Sequence, residues 1–270
     1  MSAMPAVSVI INCLNGEKSL PRALASVAAQ SFEDFEIIFY DNASDDSSAE
    51  IAKSFGPRLR YFRGDKTIPL GAARNRAIRE ARGRYIAFLD CDDLWLPQKL
   101  ERQVALLDAN PRVGLCSTDT EIRIDRHAGG RIFENSPPLR GMVFEELMKR
   151  QWISMSSAVI RREALDLLCS APGACDWFDE SLNVCEEADL FYRIAHDWEV
   201  DQAPEALTVW SVHGANTTLR KFGQFAEETR LILAKHRRIY PDYDLKHPDL
   251  VRTLERRADF QEAVDLWRRG

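Results

Sequence analysis

The 270-residue chain lacks most of the signatures that would settle its chemistry at a glance. Its six cysteines (Cys13, Cys91, Cys116, Cys169, Cys175 and Cys185) form no C-x-x-C pair and no zinc spacing, which leaves them as reduced, small, mostly buried apolar residues. No apolar run approaches the roughly 20 residues of a membrane span. There is no basic excess: 36 Lys and Arg stand against 42 Asp and Glu, a net charge of -6, so no nucleic-acid partner held by bulk charge is expected. The opening MSAMPAVSVIINC has neither the basic segment nor the long apolar core of a signal peptide, and the expectation is a cytoplasmic chain. There is no G-x-x-x-x-G-K-[ST] loop, no G-x-G-x-x-G after the first strand, no H-E-x-x-H and no G-x-S-x-G. These absences exclude the simplest nucleotide and hydrolase readings. Internal repeats and low-complexity segments are also missing.

What is present is an ordinary globular composition, 45% hydrophobic and 29% charged, with a strand–helix alternation in the first half. Val7 to Ile11, Phe35 to Tyr40, Leu59 to Phe62, Tyr85 to Leu89 and Val113 to Thr118 read as short buried strands. Between them lie a helix capped by Ser19, one opened by Asp45 and Asp46, one from Gly71 to Arg82 and one from Pro97 to about Asn110. This order predicts parallel strands with crossover helices, and polar strand ends converging on one sheet edge. After Thr118 the pattern loosens. A hairpin around Gly129-Gly130, a helix from Val143 to Met148, a strand from Ser156 to Arg161, a loop at Pro172-Gly173, an amphipathic helix from Glu186 to His196 and a strand from Ala206 to Val212 are expected. Two helical stretches, Phe222 to Tyr240 and Asp249 to Trp267, close the chain.

The segment around which the chemistry gathers is RYIAFLDCDDLWLP, Arg84 to Pro97. An apolar strand runs straight into Asp90, Asp92 and Asp93. Carboxylates beside an apolar core need a partner. A divalent cation carrying a phosphate is one, since hard cations take oxygen ligands. A solvated acidic turn capping the next helix is the other reading of the same three residues. Asp41-Asn42 at the end of the second strand suits a ribose or base edge, or simply a turn. Arg74, near a helix start preceded by Gly71, suits a phosphate, or a surface ion pair.

Taken in order, VSVIINCLN, Gln30-Ser31-Phe32, FEIIFYDNASDDS and GAARNRAIREARGRYIAFLDCDDLWLPQKLE make the chain resemble the family 2 glycosyltransferases of GT-A fold. The resemblance covers the chain to about residue 110 and continues more loosely to about residue 215. It implies an α/β fold with a mostly parallel central sheet flanked by helices. It also implies a nucleotide-sugar donor half at 1–118, an acceptor half at 119–215 and a C-terminal helical extension at 216–270. Asn12, Leu14, Asn15, Asp41, Asn42, Gly71, Arg74, Asp90 and Cys91 become the expected donor-nucleotide residues. Asp92 becomes the expected metal ligand, for Mn²⁺ or Mg²⁺, with His213 of VHGANTT beside it. The family's acidic base falls on Glu187 of EEADLFYR, with Glu186, Asp189 and Asp93 in support. Without the resemblance, Glu186, Glu187 and Asp189 would simply favour a helix N-terminus.

Asn42 and Leu14 depart from the family's acidic and aromatic base contacts, so UDP-, dTDP- and GDP-linked donors all stay open. The implied reaction is inverting transfer to a hydroxyl of a glycan or glycolipid acceptor, in surface polysaccharide or glycolipid assembly. A nucleotidyltransferase of similar fold competes, although Asn12 to Lys18 is poor in the glycine and basic residues it would want; a non-catalytic nucleotide-binding relative is the third reading. Trp152 and Trp177 suit acceptor walls or core packing. Arg252, Arg256, Arg257, Arg268 and Arg269 make the tail basic, which fits a solvated face, a homodimer contact or peripheral contact with the inner face of a membrane.

Overall fold

The computed structural model describes residues 4–124, 127–134, 138–169, 177–214, 216 and 220–269. Its strands are β1 (Val7–Cys13), β2 (Phe35–Asp41), β3 (Leu59–Arg63), β4 (Tyr85–Phe88), β5 (Leu94–Trp95), β6 (Val113–Ile124), β7 (His127–Arg131), β8 (Val159–Arg161) and β9 (Glu199–Val212). Among the described residues they form one sheet in the order β3-β2-β1-β4-β8-β6-β9-β5, with β7 paired to β6. The helices are α1 (Leu20–Ala28), α2 (Ser48–Lys53), α3 (Leu70–Glu80), α4 (Lys99–Ala109), α5 (Phe144–Lys149), α6 (Arg162–Leu168), α7 (Glu186–Asp197), α8 (Phe225–Ile239), α9 (Tyr243–Lys246) and α10 (Pro248–Arg269). None of the described helices is long and apolar enough to cross a membrane.

β1 is buried on both faces, which explains its near-continuous apolar run. Val7, Val9 and Ile11 pack with Leu20, Leu24, Leu100 and Val104 of α1 and α4. Ile10 packs on the opposite face, in a core that also holds Ala73 and Ile78 of α3, Leu190 of α7 and Leu254 of α10. The C-terminal helices therefore share the core of the sheet's second face. Close approach fixes the start of β4, because a Cβ on Gly83 would lie 2.4 Å from the Ser8 backbone nitrogen. The first four strands are parallel, as the alternation predicts. β1 and β4 are in register at Ile10 and Phe88, so Asn12 and Asp90 stand at one sheet edge.

The second half departs from the expectation of a parallel continuation. β8 enters antiparallel between β4 and β6, and β5 pairs antiparallel with β9. Leu94-Trp95 was too short to carry a strand period, so it was legible only as the approach to a helix. That helix begins at Lys99, two residues after Pro97. The expected turn at Gly129-Gly130 is a correction: Ile124 pairs with His127, and both glycines stand inside β7. The expected strand from Ser156 is another: Met155–Ser157 is a 3₁₀ turn and β8 starts at Val159. Ser19 occupies the N-cap position without capping, because its hydroxyl donates to the Gly16 carbonyl. α2 starts at Ser48, whose N–H donates to Asp46. The Pro172-Gly173 loop lies outside the described residues, as does Cys175.

Candidate active site

The loops after β1 and β2 are tied to each other by side chains. Asn15 has a φ of 54°, a left-handed conformation that asparagine tolerates, and its Oδ1 accepts from the Asp45 N–H at 2.9 Å. Gly16 donates to Ser48 Oγ at 2.9 Å, and a Cβ there would meet Cys13 Sγ at 2.7 Å and Cys91 Sγ at 3.1 Å. Cys91 thus packs under the first loop, and Leu14 projects outward, exposed. Asn12 is buried at the strand end, and its Nδ2 has no partner among the described residues.

Asp41 and Asn42 do something other than offer free edges. Asp41 is fully buried and accepts from Tyr61 and Arg63, both at 2.6 Å, and from the Ser44 N–H at 2.7 Å. Burial alone would raise its carboxyl; Tyr61, Ser44 and Arg63 outweigh this and hold it below the usual carboxylate range. Asn42 clamps the Ile68 backbone from both sides, donating to its carbonyl at 2.8 Å and accepting from its N–H at 3.1 Å. Both residues shape the rim and lead the chain into α3.

α3 brings Arg74 to the centre. Its guanidinium is 2% exposed and bridges Asp90 Oδ1 at 2.9 Å and Glu186 Oε1 at 3.1 Å. Burial would lower Arg74, but the charges of Asp90, Glu186 and Glu187 reverse this and raise it. Asn75 clamps the Phe178 backbone, as Asn42 clamps Ile68. Gly71, expected to open a phosphate cradle, is instead buried against Phe178, Asp179 and Glu186, and a Cβ there would lie 3.3 Å from the Phe178 Cβ. Its missing side chain lets α3 approach the start of α7.

The acidic turn divides its labour. Asp93 is buried and accepts from Ser156 Oγ at 2.6 Å and from the Ser211 N–H at 2.9 Å. Burial, then the charges of Asp90 and Asp92, push its carboxyl well up. Ser156 Oγ also accepts the Asp90 N–H at 3.1 Å, so one hydroxyl sets both ends of the turn. Asp92 stays partly exposed and meets His213 Nε2 at 2.9 Å through its Oδ2. Burial and Asp90 raise the Asp92 carboxyl, while His213 lowers it.

The start of α7 is fixed from the C-terminal helices. Glu228 of α8 accepts the N–H groups of Asn183, Val184 and Cys185 at 2.8–2.9 Å. Asp189 is fully buried and pairs with Arg193 at 2.9 Å and Lys235 at 3.0 Å. It ties α7 to α8 and does not reach the Arg74 network by any hydrogen bond among the described residues. Glu187 makes no hydrogen bond among the described residues and lines a cavity under α8 and α10. Dense surroundings push its carboxyl up to about 8: burial dominates, Arg74 opposes, and Glu186 and Asp90 add to the rise.

A buried arginine thus joins the strand-end Asp90 to Glu186 at the start of α7, and Glu187 follows on the same helix. The family model for glycosyl transferase family 2 matches residues 8–168, more than half the chain. The chain belongs to that family. This family 2 glycosyltransferase is 28% identical over 252 residues to an uncharacterized glycosyltransferase of Methanocaldococcus jannaschii, covering 90% of this chain and 79% of the relative. It is 36% identical over 236 residues to an uncharacterized glycosyltransferase of Nostoc sp., covering 82% and 69%. A shorter match, 31% over 105 residues, is to a UDP-Glc:alpha-D-GlcNAc-diphosphoundecaprenol beta-1,3-glucosyltransferase of Escherichia coli, covering 38% of this chain and 42% of the relative.

The GT-A fold is shared with solved structures. S. aureus TarS 1-349 superposes with a TM-score of 0.72 at 18% identity, covering 92% of this chain and 70% of that one. The mannosyltransferase PcManGT of Pyrobaculum calidifontis, in complex with GDP-Man and Mn²⁺, gives 0.68 at 19%, covering 97% and 74%. The chain spans 39% of the longer TarS structure.

Among the described residues, no three His, Cys, Asp or Glu side chains converge as a ready metal cage. Asp92 and His213 form a two-residue donor set instead. Mg²⁺-type sites use one or two carboxylates plus substrate phosphates, so this pair fits a cation whose remaining ligands come with the substrate. Sequence reasoning missed the supporting residues Ser156, Glu228, Tyr61 and Arg63. Serines and isolated charges carry no periodic signal, and their partners lie 19 to 66 residues away along the chain.

Proposed function

We propose that this glycosyltransferase moves a sugar from a nucleoside diphosphate to an acceptor hydroxyl with inversion. The observation that carries the reading is Arg74. One buried guanidinium joins Asp90 of the strand-end turn to Glu186, and Glu187 follows directly on the same helix. The donor lies along the sheet edge, with the unpartnered Asn12 Nδ2 and Asp90 facing it, and Cys91, Asn15 and Leu14 lining the first loop. Asp41 and Asn42 act as positioning residues for the rim. Base recognition among UDP, dTDP and GDP then falls to groups other than a free Asp41 carboxylate. Asp92 and His213 would hold the divalent cation, which when bound neutralises charge on the leaving diphosphate.

Glu187 takes the proton of the acceptor hydroxyl as it attacks. A base must be poised near the working pH, and a carboxyl raised to about 8 is a stronger base than an ordinary glutamate. Arg74 holds Glu186, the preceding residue on α7, and no hydrogen bond among the described residues occupies the Glu187 carboxylate. The acceptor class is a glycan or glycolipid. The named activity of the E. coli relative, on a diphosphoundecaprenol-linked sugar, supports surface polysaccharide or glycolipid assembly at the inner face of the membrane. Incubation with UDP-, dTDP- and GDP-sugars and Mn²⁺ or Mg²⁺, read as nucleoside diphosphate release, tests the reading. Release with no donor in either metal contradicts it.

A further inference from the structure

A cavity of about 230 Å³ lies between α7, α8 and α10. At about 30 Å³ per water it has room for roughly seven waters, far beyond a single structural water. Its wall includes the apolar bodies of Tyr192, Phe225 and Leu254. Polar side chains also line it, among them Thr229, Gln151, Arg257 and Gln261. The last three carry buried atoms with no partner among the described residues, namely both amide atoms of Gln151, Arg257 Nε and Gln261 Oε1. Buried polar groups are nearly always hydrogen-bonded, so the convergence of unpaired ones on one cavity points to an occupant. Glu187 lines the same cavity.

We propose that this cavity is the acceptor subsite and holds one neutral sugar ring, with a hydroxyl presented to Glu187. The inference rests on the glycosyl-transfer reading above and adds the acceptor's place and chemistry. The polar set is mixed. Gln151 Nε2 and Arg257 Nε donate; Gln151 Oε1, Gln261 Oε1 and the Glu187 carboxylate accept. An anion would satisfy only the donors and would leave the Gln151 and Gln261 amide oxygens unpaired. Hydroxyls both donate and accept, so a ring of them satisfies the whole set. The aromatic faces of Tyr192 and Phe225 suit the apolar face of such a ring. Swapping nitrogen and oxygen on Gln151 leaves the inference unchanged, since both atoms are unpartnered. The C-terminal helices thus complete the site: Arg257 and Gln261 come from α10, and Glu228 of α8 positions the start of α7.

The test uses the full chain and a panel of neutral and carboxylated para-nitrophenyl glycosides. Binding is followed by saturation-transfer NMR, with UDP and GDP binding measured in parallel by calorimetry. Neutral glycosides are expected to bind wild type. Gln151→Leu and Gln261→Leu should weaken that binding about tenfold each, leave nucleotide affinity unchanged, and keep or raise the melting temperature. The stability readout separates the roles, because replacing unpaired buried amides by apolar isosteres is neutral or stabilising for the ligand-free chain, whereas a structural role would lower its melting temperature. Nucleotide binding without binding of any neutral glycoside overturns the acceptor assignment and leaves the transfer reading standing. Equal glycoside binding by both variants, or a preference for carboxylated glycosides, also overturns it. Absence of nucleotide binding strikes the transfer reading itself.

Discussion

Arg74→Met probes the centre of the site. The guanidinium is buried, and it faces one carboxylate that is half in water and one that is not: the Asp90 side chain is 36% exposed, that of Glu186 5%. An exposed pair contributes about 0–1 kcal/mol, so the Asp90 arm matters little for stability. Removing one member of a buried pair costs about 3–5 kcal/mol, because the other charge stays behind uncompensated. Glu186 is that member, and its Oε2 already lacks a partner. Burial raises the Glu186 carboxyl and Arg74 opposes the rise, so the substitution removes the group that favours its charged form. At about 2–4 °C per kcal/mol for a chain approaching this size, the melting temperature should fall by roughly 6–20 °C. Adding Glu186→Gln removes the stranded charge and should recover most of the loss. Thermal and urea unfolding of the wild type, both single variants and the double variant measure this as a coupling energy. A loss below about 1 kcal/mol for Arg74→Met, or no recovery in the double variant, refutes the placement of Glu186 as the buried partner.

With Glu187 as the base, its raised carboxyl makes the rate of transfer climb with pH, about tenfold per unit below about 8, and level off above; a profile already flat from pH 6 contradicts its role. Lys99 is fully buried on Trp95 and Gln103, and burial lowers its ammonium to about 7. The unfolded chain holds that proton up to about 10, so the stability of wild type relative to Lys99→Met should rise by a few kcal/mol between pH 7 and 10; a pH-independent difference refutes it. Gly16→Ala forces a Cβ onto Cys13 and Cys91 and should cost about 1–3 kcal/mol in thermal unfolding, with partial recovery in Gly16→Ala/Cys13→Ala. An unshifted Gly16→Ala melting curve contradicts that contact.

The first half of the chain was legible because its signals are local. β1, β2 and β4 are apolar runs that stop at Cys13, Asp41 and Phe88, and parallel register alone brings their ends together. The second half was legible only in pieces. β8 has three residues and β5 two, too few for a period, and what fixes them is pairing with distant partners. Asp41 shows the limit at the level of a side chain. Its position at a strand end was readable, but Tyr61 and Arg63 occupy its carboxylate, and they come from β3. Arg257 shows it again. In sequence it is one charge of a basic tail; in the fold it lines the same cavity as Glu187 and donates to the Lys149 carbonyl, while Arg230, on another helix, takes the surface pairs with Asp259 and Glu262.

The central claim is that the Asp90–Asp92 turn and Glu187 serve a single transfer reaction. Nucleoside diphosphate release from a panel of nucleotide sugars, with Mn²⁺ or Mg²⁺ and glycoside acceptors, measures it directly in wild type, Asp92→Ala and Glu187→Gln. The account predicts metal-dependent release from one donor, falling at least a hundredfold in each variant, while Glu187→Gln keeps its nucleotide affinity. Release that persists at the wild-type rate in both variants would contradict it.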